Sequence, residues 1–226
     1  MAGSAWSIVF DFDGTLVDSA PGILSGMAQA LAARGLAPRV PLAPEIIGPP
    51  LTQTLALISG IDSTPALAEL ATEFKRFYDH EGYRDTLPYP GVEHALRELR
   101  QAGMALHIAT NKRARPTRLI LDHLGWTPLF ASVYCLDECP ACPDKAAMLG
   151  KLLQDTALRS DETLYIGDTL GDAIAAKANN LPFIHATWGY GRDGEEFPAD
   201  CRCDSADHLP ETTRQLLVQG RPCPAN

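Results

Sequence analysis

No apolar stretch in this 226-residue chain runs long enough to cross a bilayer. Positive charge is also in short supply: 19 lysines and arginines face 28 aspartates and glutamates, a formal net charge of -9. That balance argues against general nucleic-acid binding and against attraction to an anionic membrane. It leaves room for a phosphorylated small molecule, because one local cation outweighs the global field at a site. The opening run Met1-Ala2-Gly3-Ser4-Ala5-Trp6 has no basic segment followed by an apolar one, so no secretory signal is read there and the cytoplasm is the expected compartment. Cysteine is sparse, with six residues: Cys135, Cys139 and Cys142 in a C-x3-C-x2-C cluster, Cys201 with Cys203, and Cys223. These spacings match no strong zinc motif, even with Asp137, Asp144 or His208 added. Reduced thiols are the expectation, rather than a metal centre or a disulfide framework.

What is present is a sheet-and-helix alternation with one interruption. Ile8 to Phe10 read as a buried strand. A helical block follows, with Ile23, Leu24, Met27, Leu31 and Leu36 at helical spacing and further helices over about Leu51 to Ile58 and Pro65 to Tyr78. From Leu87 onward helices and strands alternate: a helix from Val92, a strand over Met104 to Ala109, a helix from about Pro116 to Leu124 and a short strand near Ser132 to Tyr134. A helix over Lys145 to Leu153, a strand over Thr163 to Ile166, a helix near Asp172, a strand over Pro182 to His185 and a final helix from about Pro210 to Leu217 complete the pattern. The expected fold is α/β: a doubly wound, Rossmann-like parallel sheet with an inserted helical cap domain. The core takes residues 1–16 and 85–226, and the cap takes 17–84.

Ligands of such sheets bind beyond the carboxyl ends of the strands, and those ends carry the chemistry here. The first strand runs into Asp11 and Asp13, the second into Thr110 and Asn111, and another into Asp168 with Asp172. Carboxylates this crowded repel unless a cation joins them or one keeps a proton. Oxygen ligands of this kind suit Mg2+, and Lys145 at a helix start supplies a fixed positive charge. These parts fit phosphoryl transfer. Asp11 is the expected nucleophile, Asp13 the acid and base, Thr110 a phosphate contact and Lys145 the group that steadies Asp11 and the transferring phosphate. Taken singly, Asp172 or Asp18 reads as a helix cap and Thr110 as an N-cap. His107 and His185 read as packed side chains, Asn111 and Lys112 as support that could also face the cap, and Trp188 with Tyr190 as core ahead of a lining for the mouth of the site.

The run Phe10-Asp11-Phe12-Asp13-Gly14-Thr15-Leu16-Val17-Asp18-Ser19 resembles the first motif of the haloacid dehalogenase-like hydrolases, and within them the phosphoglycolate phosphatase group. Thr110-Asn111-Lys112 is similar to the second motif, Lys145 falls at the third, and Gly167-Asp168-Thr169-Leu170-Gly171-Asp172 is similar to the fourth. The resemblance implies an aspartyl-phosphate intermediate on Asp11. It also implies Mg2+ held by the Asp11 and Asp168 side chains and the Asp13 backbone carbonyl, with Asp172 supporting through the metal's water shell. Asn111 and Lys145 join Thr110 in substrate binding, and Gly48-Pro49-Pro50 occupies the place of the cap's specificity loop. Arg39 and Arg84 are further candidates there. Asp13 argues against dehalogenation, since relatives that displace halide lack an acid at that place. Two departures stand out: Ala146 replaces the usual proline after the lysine, and Asn179 replaces a glycine, a mild change because asparagine can take the left-handed backbone too.

The expected activity is Mg2+-dependent hydrolysis of a small phosphomonoester, 2-phosphoglycolate first. The alternatives are a sugar-phosphate mutase, a nucleotide, sugar-phosphate or pyrophosphate phosphatase, or a non-catalytic relative that binds a phosphorylated ligand or a protein. Monomer and homodimer are both open at this level.

Overall fold

The computed structural model describes residues 6–191 and 198–219. Cys223 and the first five residues lie outside them. The elements in chain order are β1 (Ser7–Phe10), β2 (Val17–Asp18), α1 (Ala20–Ala33), α2 (Leu51–Ser59), α3 (Thr64–Tyr78), β3 (Leu87–Pro88), α4 (Val92–Gln101) and β4 (Ala105–Thr110). They continue with α5 (Ala114–His123), β5 (Ser132–Cys135), α6 (Lys145–Asp155), β6 (Thr163–Gly167), α7 (Leu170–Ala178), β7 (Phe183–Ala186), β8 (Cys201–Cys203) and α8 (Leu209–Gln219).

Six strands form one sheet in the order β5-β4-β1-β6-β7-β8, and every pairing is parallel. Both faces are covered, as an all-parallel sheet requires. Side chains alternate along a strand, so Ile8 and Phe10 pack with α4 residues Val92, Leu96 and Leu99. Val9 turns to the opposite face and meets Met148, Leu149 and Leu152 of α6. The register sets the site: Phe10 pairs with Ile108 on one side and Ile166 on the other. The residues just beyond (Asp11, Thr110 and Asp168) therefore emerge along one edge.

The helical insert has its own core. Ile23, Met27, Leu31, Leu55, Ile58, Leu70, Phe74 and Tyr78 bury one another, and Tyr190, from the chain after β7, joins them. Close approach of α1 to the chain after α3 depends on glycine, because a Cβ at Gly22 would collide with the Gly82 carbonyl. The two chain passages between core and cap lie side by side as a short antiparallel ribbon, Val17 opposite Pro88 and Asp18 opposite Leu87.

Two details differ from the sequence expectation. The strand β8 was not anticipated; its Cys201 and Cys203 are buried and only Arg202 between them is exposed, a pattern too short to register as alternation. Asn179 is not left-handed (φ -104); Asn180 takes that conformation instead, with φ 54. The Asn179 amide is committed elsewhere, donating to the Ala146 and Ala175 carbonyls at 2.9 Å each, and so ties α7 to α6. Cys135, Cys139, Cys142, Cys201 and Cys203 form no disulfide among the described residues. Among the described residues, no cysteine joins a group able to hold a metal.

Candidate active site

Asp11 follows β1 directly, and its backbone N–H donates to the Ile166 carbonyl at 2.8 Å, which continues the ladder and pins the carboxylate at the sheet edge. Lys145, the first residue of α6, brings its Nζ to 3.0 Å from Asp11 Oδ1. The same ammonium donates to Asp172 Oδ1 at 2.6 Å. Its alignment favours Asp172, so the buried Asp11 Oδ1 is left without a well-directed hydrogen bond. Asp172 is saturated: Tyr165 Oη donates to Oδ1 at 3.0 Å, and the Thr169 N–H and hydroxyl donate to Oδ2 at 3.0 and 2.6 Å. Thr169 and Asp172 also form a reciprocal capping box at the start of α7.

Asp168 is fully buried. Thr15 Oγ1 donates to its Oδ1 at 2.9 Å and the Tyr190 N–H to its Oδ2 at 2.7 Å. The fit is close on both sides. Gly14 has φ +86 and no room for a Cβ against the Asp168 carboxylate, and a Cβ on Gly189 would also strike Asp168. Trp188 Nε1 donates to the Thr15 carbonyl at 3.1 Å, so the Trp188–Tyr190 segment braces the Asp11 loop and the Asp168 loop together.

Carboxylate oxygens of Asp11, Asp168 and Asp172 lie within 4.8 Å of one another. Burial raises the Asp11 pKa from 3.8 to about 7, against the opposing pull of Lys145, and the neighbouring Asp172 adds to the rise. Asp168 is pushed well above the usual carboxylate range by burial and by Asp172 and Asp11. Burial acts the same way on Asp172, but the Lys145 charge and the Lys145 and Thr169 donors outweigh it and lower its pKa. Burial disfavours the Lys145 ammonium, yet Asp11 and Asp172 outweigh that and raise it. One ammonium among three buried carboxylates leaves negative charge uncompensated. An oxygen-seeking divalent cation is the natural complement, and Asp11 Oδ1, with the Lys145 ammonium near but no well-directed hydrogen bond, is an available ligand atom for it.

Asp13 sits apart from that cluster. Ser19 Oγ donates to its Oδ1 at 2.6 Å, and Lys112 Nζ reaches Oδ1 and Oδ2 at 3.0 and 3.1 Å. Lys112 also donates to Tyr78 Oη at 2.8 Å and lies 4.7 Å from that ring's centre. A cap residue thus reaches the Asp13 carboxylate through one buried lysine. Other contacts close the cap on the core: Asn111 Nδ2 donates to the Gly48 carbonyl at 2.9 Å, and Arg113 pairs with Asp79 at the end of α3. Between cap and core a cavity of about 60 Å³ meets Asp11, Asp13, Thr110 and Lys112 on one side and Ile23, Met27, Phe74 and Tyr78 on the other. A wider recess of about 420 Å³ opens past Lys145, Pro49 and Thr169.

A model of the haloacid dehalogenase-like hydrolases matches residues 8–186. The chain belongs to this family. Within it, the chain is similar to the phosphoglycolate phosphatase of Cereibacter sphaeroides, 36% identical over 220 residues that cover 93% of this chain and 99% of that one. A phosphoglycolate phosphatase of Xylella fastidiosa is 32% identical over 214 residues, covering 93% of each. Among solved structures, a predicted phosphatase from Clostridium acetobutylicum superposes with a TM-score of 0.85 at 27% identity, covering 94% of this chain and 100% of that one. The chain is a member of the phosphoglycolate phosphatase-like group with a helical cap insertion.

The structure gathers Asp11, Asp13, Thr110, Asn111, Lys145, Asp168 and Asp172 at one edge, with Gly48 facing them from the cap. It does not bring Arg39 or Arg84 to the cavity. Arg39 is exposed beside Gly60 and Arg84 is exposed over the Tyr83 ring, 5.6 Å from its centre. His107 is packed as expected, with Nδ1 2.8 Å from Ser132 Oγ. The residues underrated in the sequence are Lys112 and Tyr190; Ser19 was read only as part of the first motif, and Tyr78 and Tyr165 had no functional signal. Tyr190 proves to be more than core. Its hydroxyl accepts from the Ser19 and Ala20 N–H groups at 2.8 and 3.0 Å and donates to Asp18 at 2.9 Å, directly at the start of the cap.

Proposed function

We propose that this protein is a Mg2+-dependent phosphatase of small phosphomonoesters, with 2-phosphoglycolate the preferred substrate, acting through an aspartyl-phosphate on Asp11. The observation that carries the reading is the buried trio Asp11, Asp168 and Asp172 around a single ammonium, beside a separately held Asp13. Asp11 and Asp168 would hold Mg2+ by their side chains and Asp13 by its backbone carbonyl, with Asp172 in support. Bound there, the ion supplies charge neutralisation between carboxylate and phosphate and polarises the phosphoryl group.

In the first half-reaction an Asp11 oxygen attacks phosphorus as the bond to the leaving oxygen breaks, and Asp13 gives that oxygen its proton. In the second, Asp13 takes a proton from water as the water oxygen attacks phosphorus, which frees Asp11 and releases inorganic phosphate. Lys145 holds Asp11 in place and lies where it can meet a phosphoryl oxygen. The Thr110 hydroxyl, at the cavity wall, supplies another donor. Lys112 and Ser19 keep Asp13 in one orientation, which a proton carrier serving both steps requires.

The cap, residues 17–84 between core segments 1–16 and 85–226, opens about the β2–β3 ribbon and closes over the leaving group. A cavity of about 60 Å³ with Lys112 and Arg113 as its cations suits a short, acidic leaving group such as glycolate, and relatives named as phosphoglycolate phosphatases support the same choice. Six scattered cysteines with no disulfide-framework spacing favour a cytoplasmic setting.

The test is phosphate release under saturating Mg2+ from 2-phosphoglycolate, sugar phosphates, nucleoside monophosphates and pyrophosphate, with Asp11→Asn as control. A preference for 2-phosphoglycolate of about a hundredfold in kcat/KM, roughly 2.7 kcal/mol of discrimination, is expected and is absent in the variant. Even, weak release across the panel would overturn the substrate, and an isomerised sugar phosphate would point to a mutase.

A further inference from the structure

We propose that Cys139 and Cys142 form a reversible disulfide that displaces Lys145 and switches the enzyme off. The switch rests on the phosphatase reading for its consequence, though not for its chemistry. The segment Cys139-Pro140-Ala141-Cys142-Pro143-Asp144-Lys145 joins a C-x-x-C pair to the lysine of the site. The pair is already folded back on itself: the Cys142 N–H donates to the Cys139 carbonyl at 2.8 Å. A turn of this kind brings the two Cα atoms to within about 7 Å, at the edge of disulfide range. The Cys139 thiol shares a hydrogen bond with Cys142 and burial keeps it protonated. Cys142 is partly exposed, whereas Cys139 is buried. One thiol therefore meets an oxidant while its neighbour waits behind it. Cys135 takes no part; it lies at the end of β5 and burial pushes its thiol up to about 12.

The oxidant is a peroxide. The Cys142 thiol gives up its proton, the thiolate attacks a peroxide oxygen, the O–O bond breaks, and the hydroxide that leaves takes that proton, so that sulfenic acid and one water result. Cys139 sulfur then attacks the Cys142 sulfur, the S–O bond breaks, and the hydroxyl leaves with the thiol proton as a second water. The two thiols lose two electrons in all, and hydrogen peroxide gains them. A dithiol reductant reverses the bond.

The consequence follows from stiffness. Bonded sulfurs stand about 2.05 Å apart, closer than two thiols in van der Waals contact, so Cys142 must shift toward Cys139. Pro143 has a fixed φ and passes the shift on to Asp144. Asp144 is the N-cap of α6, its Oδ1 accepting from the Ala147 N–H at 2.8 Å, and Lys145 follows at once. Lys145 must stay within 3.0 Å of Asp11 to work. A displacement of about 1 Å in such a site costs on the order of a hundredfold in rate.

The experiment treats reduced full-length protein with hydrogen peroxide and maps peptides without reduction. Phosphate release is measured alongside, and calorimetry with inorganic phosphate in Mg2+ reads the Lys145 site without turnover. The expected result is a Cys139–Cys142 bridge, a loss of activity and phosphate affinity of tenfold or more, and recovery with dithiothreitol. Cys142→Ser retains the reduced activity and resists peroxide. Absence of the bridge, a bridged protein with undiminished phosphate affinity, or equal inactivation of Cys142→Ser would overturn the proposal. If the reduced protein hydrolyses nothing, the phosphatase reading fails, while the bridge and the phosphate affinity still decide the switch.

Discussion

Lys145 is a buried cation shared by Asp11 and Asp172, so its removal touches charge balance and, in the proposed mechanism, catalysis. Lys145→Met is expected to lower kcat by about a hundred- to a thousandfold, the usual effect of removing one aligned donor from a reacting oxyanion. Because it strips the partner from buried carboxylates, it is also expected to destabilise the metal-free protein by roughly 3 kcal/mol. Stopped assays and thermal melts check the two effects separately. Most residues of this kind were legible in the sequence, because Asp11, Asp13, Thr110, Asp168 and Asp172 all sit at or just past strand ends, where local pattern and chemistry coincide. The pairing of Lys112 with its partners, Asp13 and Tyr78, was not. It exists only when chain positions 99 and 34 apart meet, and no local pattern encodes that.

Elements turn these contacts into a working cap. Helix α3 carries Phe74 and Tyr78 with ring centres 5.2 Å apart, so the Tyr78 ring belongs to the cap core while its hydroxyl belongs to Lys112. Tyr78→Phe separates the two. Cap packing survives, Lys112 loses one acceptor, and kcat/KM is expected to fall about tenfold, as for one buried hydrogen bond of roughly 1.4 kcal/mol. Thermal stability should change far less than for Tyr78→Ala; an unchanged kcat/KM in Tyr78→Phe would make the hydroxyl irrelevant to turnover. Element boundaries show the same division between local and distant causes. Strongly periodic helices such as α1 and α3 were readable, whereas β8 is held by pairing to β7 and burial of two cysteines. The turn at Asn179–Asn180 shifted by one residue because the Asn179 side chain is engaged by α6, again a tertiary cause.

Across the whole molecule, the uncompensated carboxylates link stability to pH and to metal. With its pKa raised from 3.8 to about 7, Asp11 in the folded, metal-free protein holds a proton that the unfolded chain has already released in that range. The stability this contributes is therefore present at low pH and is lost as pH rises toward 7. Asp168 acts in the same direction. Mg2+ replaces the proton, so it should stabilise most at high pH. At pH 8 and about a hundred times its Kd, Mg2+ is expected to add roughly 2.7 kcal/mol, which raises Tm by about 5–10 °C. At pH 5 most of that shift should vanish, and Asp168→Asn should lack it at both values. Equal shifts at the two pH values would contradict a metal site built on these carboxylates.

The covalent role of Asp11 is the claim on which the rest depends, and the most direct measurement is to catch the intermediate. Protein mixed with 2-phosphoglycolate and Mg2+ is quenched in acid within one turnover, digested and mapped by mass spectrometry. The account predicts one phosphoryl group on the peptide that contains Asp11, labile to hydroxylamine as an acyl phosphate and absent from Asp11→Asn. Turnover without any phosphoprotein, or a phosphoryl group on another residue, would contradict it.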